Sequence, residues 1–243
     1  MRVTQGMLNS NMLNYLNANN TRMSKYQEML ASGQKLNRPS DDPVAVGYAM
    51  RYTEQISRND QYQRNIDAAM SNLDFLDTSL NQVNEVLKRA RELAVRATTE
   101  SMSIESRQAV AKEIHQLHDQ LVGIGNTQFN GQYIFNGQKT DVQPYNPNDT
   151  NAMYDAADPG QIHYAVSDGI TIPVNVSGER LFGSKVTPGN EATSDNVFAI
   201  MAQLEQDLLA DNQAGISASL DKLDSRTSKV LDTWAEIGAR GNR

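Results

Sequence analysis

The stretch "RPSDDPVAVG", Arg38 to Gly47, sets two adjacent carboxylates and a proline between segments that both read as helical. Asp42-Pro43 is a helix-start signal. Proline suits the first helical position, where its missing N–H has no partner to lose, and it pushes the preceding residue out of the α region. Asp42 can therefore cap, with Ser40 as the alternative, and its charge meets the positive helix end. Upstream, "ASGQKLN" puts Gly33 where an earlier helix stops. Locally this is a hinge between two helices.

Both flanks carry heptad spacing. Met12, Leu16, Asn19, Met23, Tyr26 and Leu30 step by four and three, a coiled-coil seam with a polar member at Asn19. Beyond the hinge, Leu73, Leu76, Leu80, Val83, Leu87, Ala90 and Ala94 repeat the rule. A helix from Pro43 to Ala97 would span roughly 80 Å at 1.5 Å per residue. "TTESMS" breaks the pattern, with Ser101 or Ser103 as the next cap. Val110, Ile114, Leu117, Leu121 and Ile124 then form a second stripe, able to run antiparallel to the first. A helix over about Asp195 to Ala210 and a last one striped by Ile216, Leu220, Leu223, Thr227, Val230, Trp234 and Ile237 complete the helical set.

Between them the chemistry changes. "QFNGQYIFNG" carries Asn130-Gly131 and Asn136-Gly137 around a β-prone run, and Asn-Gly is a strong hairpin signal. "IHYAV", Asp168-Gly169 and "ITIPVNV" predict a second hairpin, with Pro173 marking an edge strand. The expected fold is mainly α: an elongated coiled-coil helical rod with a small β-rich inserted outer domain. Its boundaries fall at 1–38 for an N-terminal assembly helix, 39–138 with 191–243 for the rod core, and 139–190 for the insertion. The seam before Gly33 has no partner helix within the chain. It calls for pairing with another chain or with a segment beyond Arg243.

The chain's 243 residues are 39% hydrophobic with a net charge of −7, a pI near 5.0 and a mean hydropathy of −0.57. An acidic chain lacks the clustered Lys and Arg that a nucleic-acid binder needs, and it is repelled by anionic membrane surfaces. With no cysteine, neither disulfides nor thiolate chemistry operate. The Asn-rich N-terminus has no apolar core of a cleaved signal, and no stretch has membrane-span length.

Candidate chemistry is thin. His115 and His118 in "HQLHD" lie at i,i+3, short of the three or four ligands zinc takes and unlike the H-E-x-x-H pattern. "GIGNTQ", Gly123 to Gln128, lacks the third glycine and the preceding strand of a dinucleotide loop, and reads as a helix C-terminus. "NPNDTNAMYD" lacks the spacing of an EF-hand. Asp41 and Asp42 are explained by capping. The sequence predicts no enzyme, no metal and no cofactor. Lys88, Arg89, Arg91 and Arg96 in "LKRARELAVRA" read either as a solvated face paired to Glu85 and Glu92 or as a docking strip for an acidic neighbour.

"LASGQKLNRPSDDPVAVGYAM", "LKRARELAVRA" and "QAVAKEIHQLHDQLVGIGNTQFNGQYIFNG" with its "NTQFNG" resemble the bacterial flagellar axial proteins, the flagellin and hook-associated group. The resemblance is strong over residues 1 to 137 and rests on helix pattern alone over 195 to 243. "RPSDDPVA" is closer to the hook-associated junction members than to flagellin, which more usually carries a Lys-Asp-Asp-Ala-Ala-Gly-like form. The resemblance implies a structural subunit of the flagellum joining hook end to filament, exported through the flagellar type III channel without a cleaved signal. It implies neighbouring hook-associated and flagellin subunits as partners, self-assembly in a ring at the junction, and an export chaperone bound through a C-terminal tail absent from this sequence. Nucleic acid and membrane insertion are not expected. The surfaces expected to bond subunits are the seam of Met12, Leu16, Met23 and Leu30; the hinge of Arg38, Pro39, Ser40, Asp41, Asp42 and Pro43; and the strip of Arg89, Arg91, Glu92 and Leu93. The rivals are a flagellin-type filament subunit and, in a different class, a coiled-coil secretion or signalling module. The module explains the heptads but not "PSDDP" and "NTQFNG" together.

Overall fold

The structure, a computed structural model, describes residues 5–40, 42–98, 102–146 and 152–242. Asp41 and Ser101 lie outside them. The chain divides into two compact units, Met1–Gln61 and Tyr62–Arg243. The division falls inside a helix, whereas the sequence pattern drew its first boundary at residue 38.

The first unit holds α1, Gln5–Ser32, and the opening of α2, which runs Pro43–Ala97. Gly33 follows α1 at φ +67, a left-handed conformation that costs glycine least. The backbone N–H groups of Val44 and Ala45 donate to Asp42 Oδ1 at 3.1 and 3.0 Å. Asp42, rather than Ser40, is thus the cap, and Pro43 is the first residue of α2.

In the second unit, α2 from Tyr62 onward meets α3, Ile104–Gly125, α5, Val197–Leu209, and α6, Gln213–Gly241. The predicted stripe of α2 is buried throughout: Leu73, Leu76, Leu80, Val83, Leu87, Ala90 and Ala94. It shares one apolar cluster with Ile114, Leu121 and Ile124 of α3, Ile200 and Leu204 of α5, and Ile216, Leu223, Val230 and Ile237 of α6. Polar links at the rim fix directions. Arg89 of α2 pairs with Glu113 of α3 at 2.7 Å. Trp234 of α6 donates from Nε1 to Asp77 at 2.6 Å, and Gln213 donates to the Ala97 carbonyl at 3.4 Å. Both α3 and α6 therefore run antiparallel to α2. Ser103 caps α3 by accepting from Ser106 N–H, and Asn196 caps α5 by accepting from Phe198 N–H at 2.9 Å. "GIGNTQ" does end α3, with Asn126 as its C-cap.

Asn130 and Gly131, at φ +52 and +79, form the two-residue turn between β1, Gln128–Phe129, and β2, Gln132–Tyr133. Two successive positive φ angles match the right-handed strand twist, which is why Asn-Gly marks such turns. Phe129 rests on Phe75 of α2 with ring centroids 5.0 Å apart. The second predicted hairpin is β3, His163–Ser167, with β4, Ile170–Pro173, turning at Asp168-Gly169. Asn65 of α2 holds it by donating to the Ala165 carbonyl at 2.8 Å.

Apart from that hairpin, described residues between 139 and 190 are irregular, with one 3-10 turn at Ala152–Tyr154 and the short helix α4, Gly178–Phe182. They are not detached from the helices. Tyr145, Met153, Val176, Phe182 and Val186 belong to the main apolar cluster, and Phe182 stacks on Phe198 of α5 at 5.3 Å. Buried asparagines replace strand pairing here. Asn136 donates to the Val142 carbonyl and accepts from Asp158 N–H, both at 2.9 Å. Asn175 donates to the carbonyls of Gly137 and Gly160 at 3.1 Å and accepts from Ile162 N–H at 2.9 Å.

The central stripe generates a ranking of substitutions. Leu80→Ala and Leu87→Ala are expected to lower stability by about 2–5 kcal/mol each, from lost burial and the cavity left behind. Lys139→Ala, at an exposed position, should change it by less than about 0.5 kcal/mol. Denaturant melts that ranked Lys139→Ala as the more damaging change would put the stripe on the wrong face.

Candidate assembly surface

In the first unit, apolar side chains face outward. Met12, Leu16, Met23 and Leu30 are 50–83% exposed, and Met7, Leu8, Leu13, Tyr15 and Tyr26 add to them. On α1 from Gly6 to Ser32 only Met29 is even half-buried. The seam that the sequence periodicity marks is exposed along the described residues of α1. It overlooked a second row: Val44, Tyr48, Tyr52 and Ile56 recur every four residues at the start of α2, each more than half exposed. The four-residue step was legible. The leucines from Leu73 onward simply gave the stronger signal. Exposed apolar surface of this extent on a helix is a candidate for contact.

The turn between α1 and α2 is locally satisfied. Arg38 reaches Glu28 at 3.0 Å, with both side chains well exposed, so the pair orients the turn and adds little stability. Pro39, Ser40, Asp42 and Pro43 are exposed. Asp42 is occupied as a cap.

The strip on α2 comes out differently. Arg89 bonds Glu113 and Glu92, and those hydrogen bonds, Glu113 first, hold its guanidinium pKa above the ordinary value. Arg91 grips Asp224 of α6 through two contacts at 2.5 and 3.1 Å, and Lys88 pairs with Glu85 at 3.6 Å. Leu93 must be withdrawn from the contact set. It is 2% exposed, because it follows Ala90 by three residues and so shares the inward face. The charges of the strip serve this chain's own helices.

Among the described residues no catalytic grouping emerges. A groove of about 590 Å³ is lined by His115, Tyr154, Glu191 and Glu205 among others, but its carboxylates are engaged. Glu205 Oε2 lies 3.1 Å from His115 Nδ1, and Glu191 accepts from the Tyr154 hydroxyl at 2.6 Å and from Gly189 N–H at 2.8 Å. Among the described residues no group of three or more metal-ligating side chains comes together.

The family profile described as the bacterial flagellin N-terminal helical region matches residues 3–140. The chain belongs to the flagellin family. Flagellar hook-associated protein 3 of Escherichia coli K12 is 29% identical over 255 residues, covering 98% of this chain and 79% of the relative. Flagellin of Bacillus subtilis is 28% identical, covering 100% and 79%. A Vibrio parahaemolyticus structure described as a flagellar hook-associated protein superposes with a TM-score of 0.72 at 25% identity, over 84% of this chain and 90% of that one. The "PSDDP" and "NTQFNG" motifs of this flagellin-family chain lie inside the matched region. They occupy a helix start and a hairpin, so the motifs that carry the likeness are structural.

Because the apolar faces of the first unit are exposed and those of the second are buried, limited proteolysis of the purified chain should cut within residues 5–61 before α3, α5 or α6. Equal cleavage rates across both units would contradict this.

Proposed function

We propose that this flagellin-family protein is a structural subunit of the bacterial flagellum, a hook-associated junction protein that connects the hook end to the flagellin filament. The observation that carries this reading is the likeness to hook-associated protein 3 across nearly the whole chain. The exposed apolar rows of the first unit support it, since a subunit that bonds to neighbours needs such surface. Its partners are then the adjoining hook-associated protein and flagellin, met in a ring of copies of itself. The bonding residues are Met12, Leu16, Met23 and Leu30 with the turn from Arg38 to Pro43. The subunit reaches the cell exterior by the flagellar export channel without a cleaved signal, and an export chaperone holds it beforehand.

A second reading has a specific observation behind it: Bacillus subtilis flagellin matches the whole chain almost as well. Purified protein that polymerises alone into long filaments would favour a filament subunit. A junction subunit should add to hook ends and stop until flagellin is supplied.

The turn offers a direct test of the junction reading. Asp42→Ala removes the cap and should cost about 1 kcal/mol, and Pro43→Gly frees a fixed φ with an effect of similar size. Neither threatens the second unit, but every copy in a ring must hold the same turn, so a small bias in each is repeated around it. The double variant should be secreted and retain its helical circular dichroism, yet support swimming poorly and leave flagellin in the medium. Normal motility would refute this role for the turn.

A further inference from the structure

Among the polar groups that assembly does not use, His118 stands apart. It lies on α3 at 5% exposure, with its ring edge-on to Phe198 of α5 at 5.8 Å and 76°. Its Nδ1 is 3.4 Å from Asp119 Oδ1, and a carboxylate there requires Nδ1 to carry the proton. Nε2 is then a bare lone pair, buried and without a hydrogen-bond partner among the described residues. A lone pair among apolar groups is tolerable. An N–H⁺ in the same place, with nothing to accept it, is costly.

We infer that His118 is an acid-sensitive latch between α3 and α5, an apolar wedge when neutral that is driven out of the core when protonated. The surrounding charges leave the latch in place. On its own helix, exposed Asp119 favours the proton, and His115, with its ring 6.4 Å away, opposes it. From α5, Glu205 favours it from a distance while bonded to His115. On α2, Lys88 and Arg89 are tied to Glu85, Glu92 and Glu113. Burial outweighs all of these and holds the His118 pKa below the ordinary histidine value.

The sign follows. Below the ordinary pKa of about 6.5 the opened state takes up a proton that the closed state refuses. Stability is therefore complete above that pH and is lost as pH falls from there toward the lowered folded value. One proton linked to opening raises the opening constant by up to roughly tenfold per pH unit within the window.

The test is native-state amide exchange of the full chain between pH 7.5 and 5, with the intrinsic pH dependence of exchange divided out, beside ¹⁵N titration of the histidine rings. In the wild type, protection of α3 and α5 should fall with acid at up to that slope, and the His118 ring should report a proton on Nδ1 at neutral pH. His118→Phe keeps an aromatic wedge against Phe198 and should flatten the dependence. His115→Gln, as control, should leave it in place. A His118→Phe protein with the wild-type pH dependence would overturn the latch. So would a His118 ring that titrates at the ordinary value without loss of protection. If His118→Phe fails to fold, the wild-type ring titration and exchange still decide the question.

Discussion

The apolar face that α2 presents from Ala69 to Ala97 is the constraint on which the second unit depends. A helix buries a face only if partners cover it. Here α3 returns antiparallel on one side and α6 on another, while α5 closes the cluster. The links at the rim, Arg89 with Glu113, Arg91 with Asp224 and Trp234 with Asp77, lie largely at exposed positions. Each adds little energy there. They set register, so that leucines meet leucines along the whole contact.

Covering that cluster from outside creates a second demand. The stretch between α3 and α5 is too irregular to satisfy its buried backbone groups by ladders, and each one left unpaired would be costly. Asparagine meets the demand because one carboxamide both donates and accepts. Asn126 shows it in pure form, donating to the Tyr145 carbonyl at 2.7 Å and accepting from Tyr145 N–H at 3.0 Å. That clip brings Tyr145 against Phe182 and Phe198. At this point the link between helix and loop passes through one polar side chain into an aromatic cluster.

This explains what could be read from the chain alone. The long seams were legible because periodicity reports burial directly, and residues from Leu73 to Ile237 kept to their stripes. Asp42-Pro43, Asn130-Gly131 and Asp168-Gly169 were legible because their backbone geometry admits few residue types. The loop was not, because its asparagines look like turn residues until their partners, 6 to 38 positions away, are known. Leu93 was misjudged for a related reason. Within "LKRARELAVRA" the cations dominate the reading, and only the three-residue step from Ala90 shows that the leucine between them points inward. The row from Val44 to Ile56 was passed over because its exposed residues have no partner stripe nearby in the sequence to pair it with.

The two units therefore meet the cost of ordering in different ways. In the second, burial of the α2 face offsets the backbone entropy lost on folding. In the first, α1 leaves Met12, Leu16, Met23 and Leu30 exposed, and helical propensity alone barely holds an isolated helix of 28 residues rich in asparagine. For a subunit that must not polymerise before it reaches its place, this arrangement is useful. Under the proposed role, contacts between copies first supply the free energy that orders this segment, which lowers affinity for any one neighbour. Several neighbours engaged together supply what one cannot. Under the proposed role, a first unit that leaves its apolar rows exposed thus makes assembly depend on an existing end.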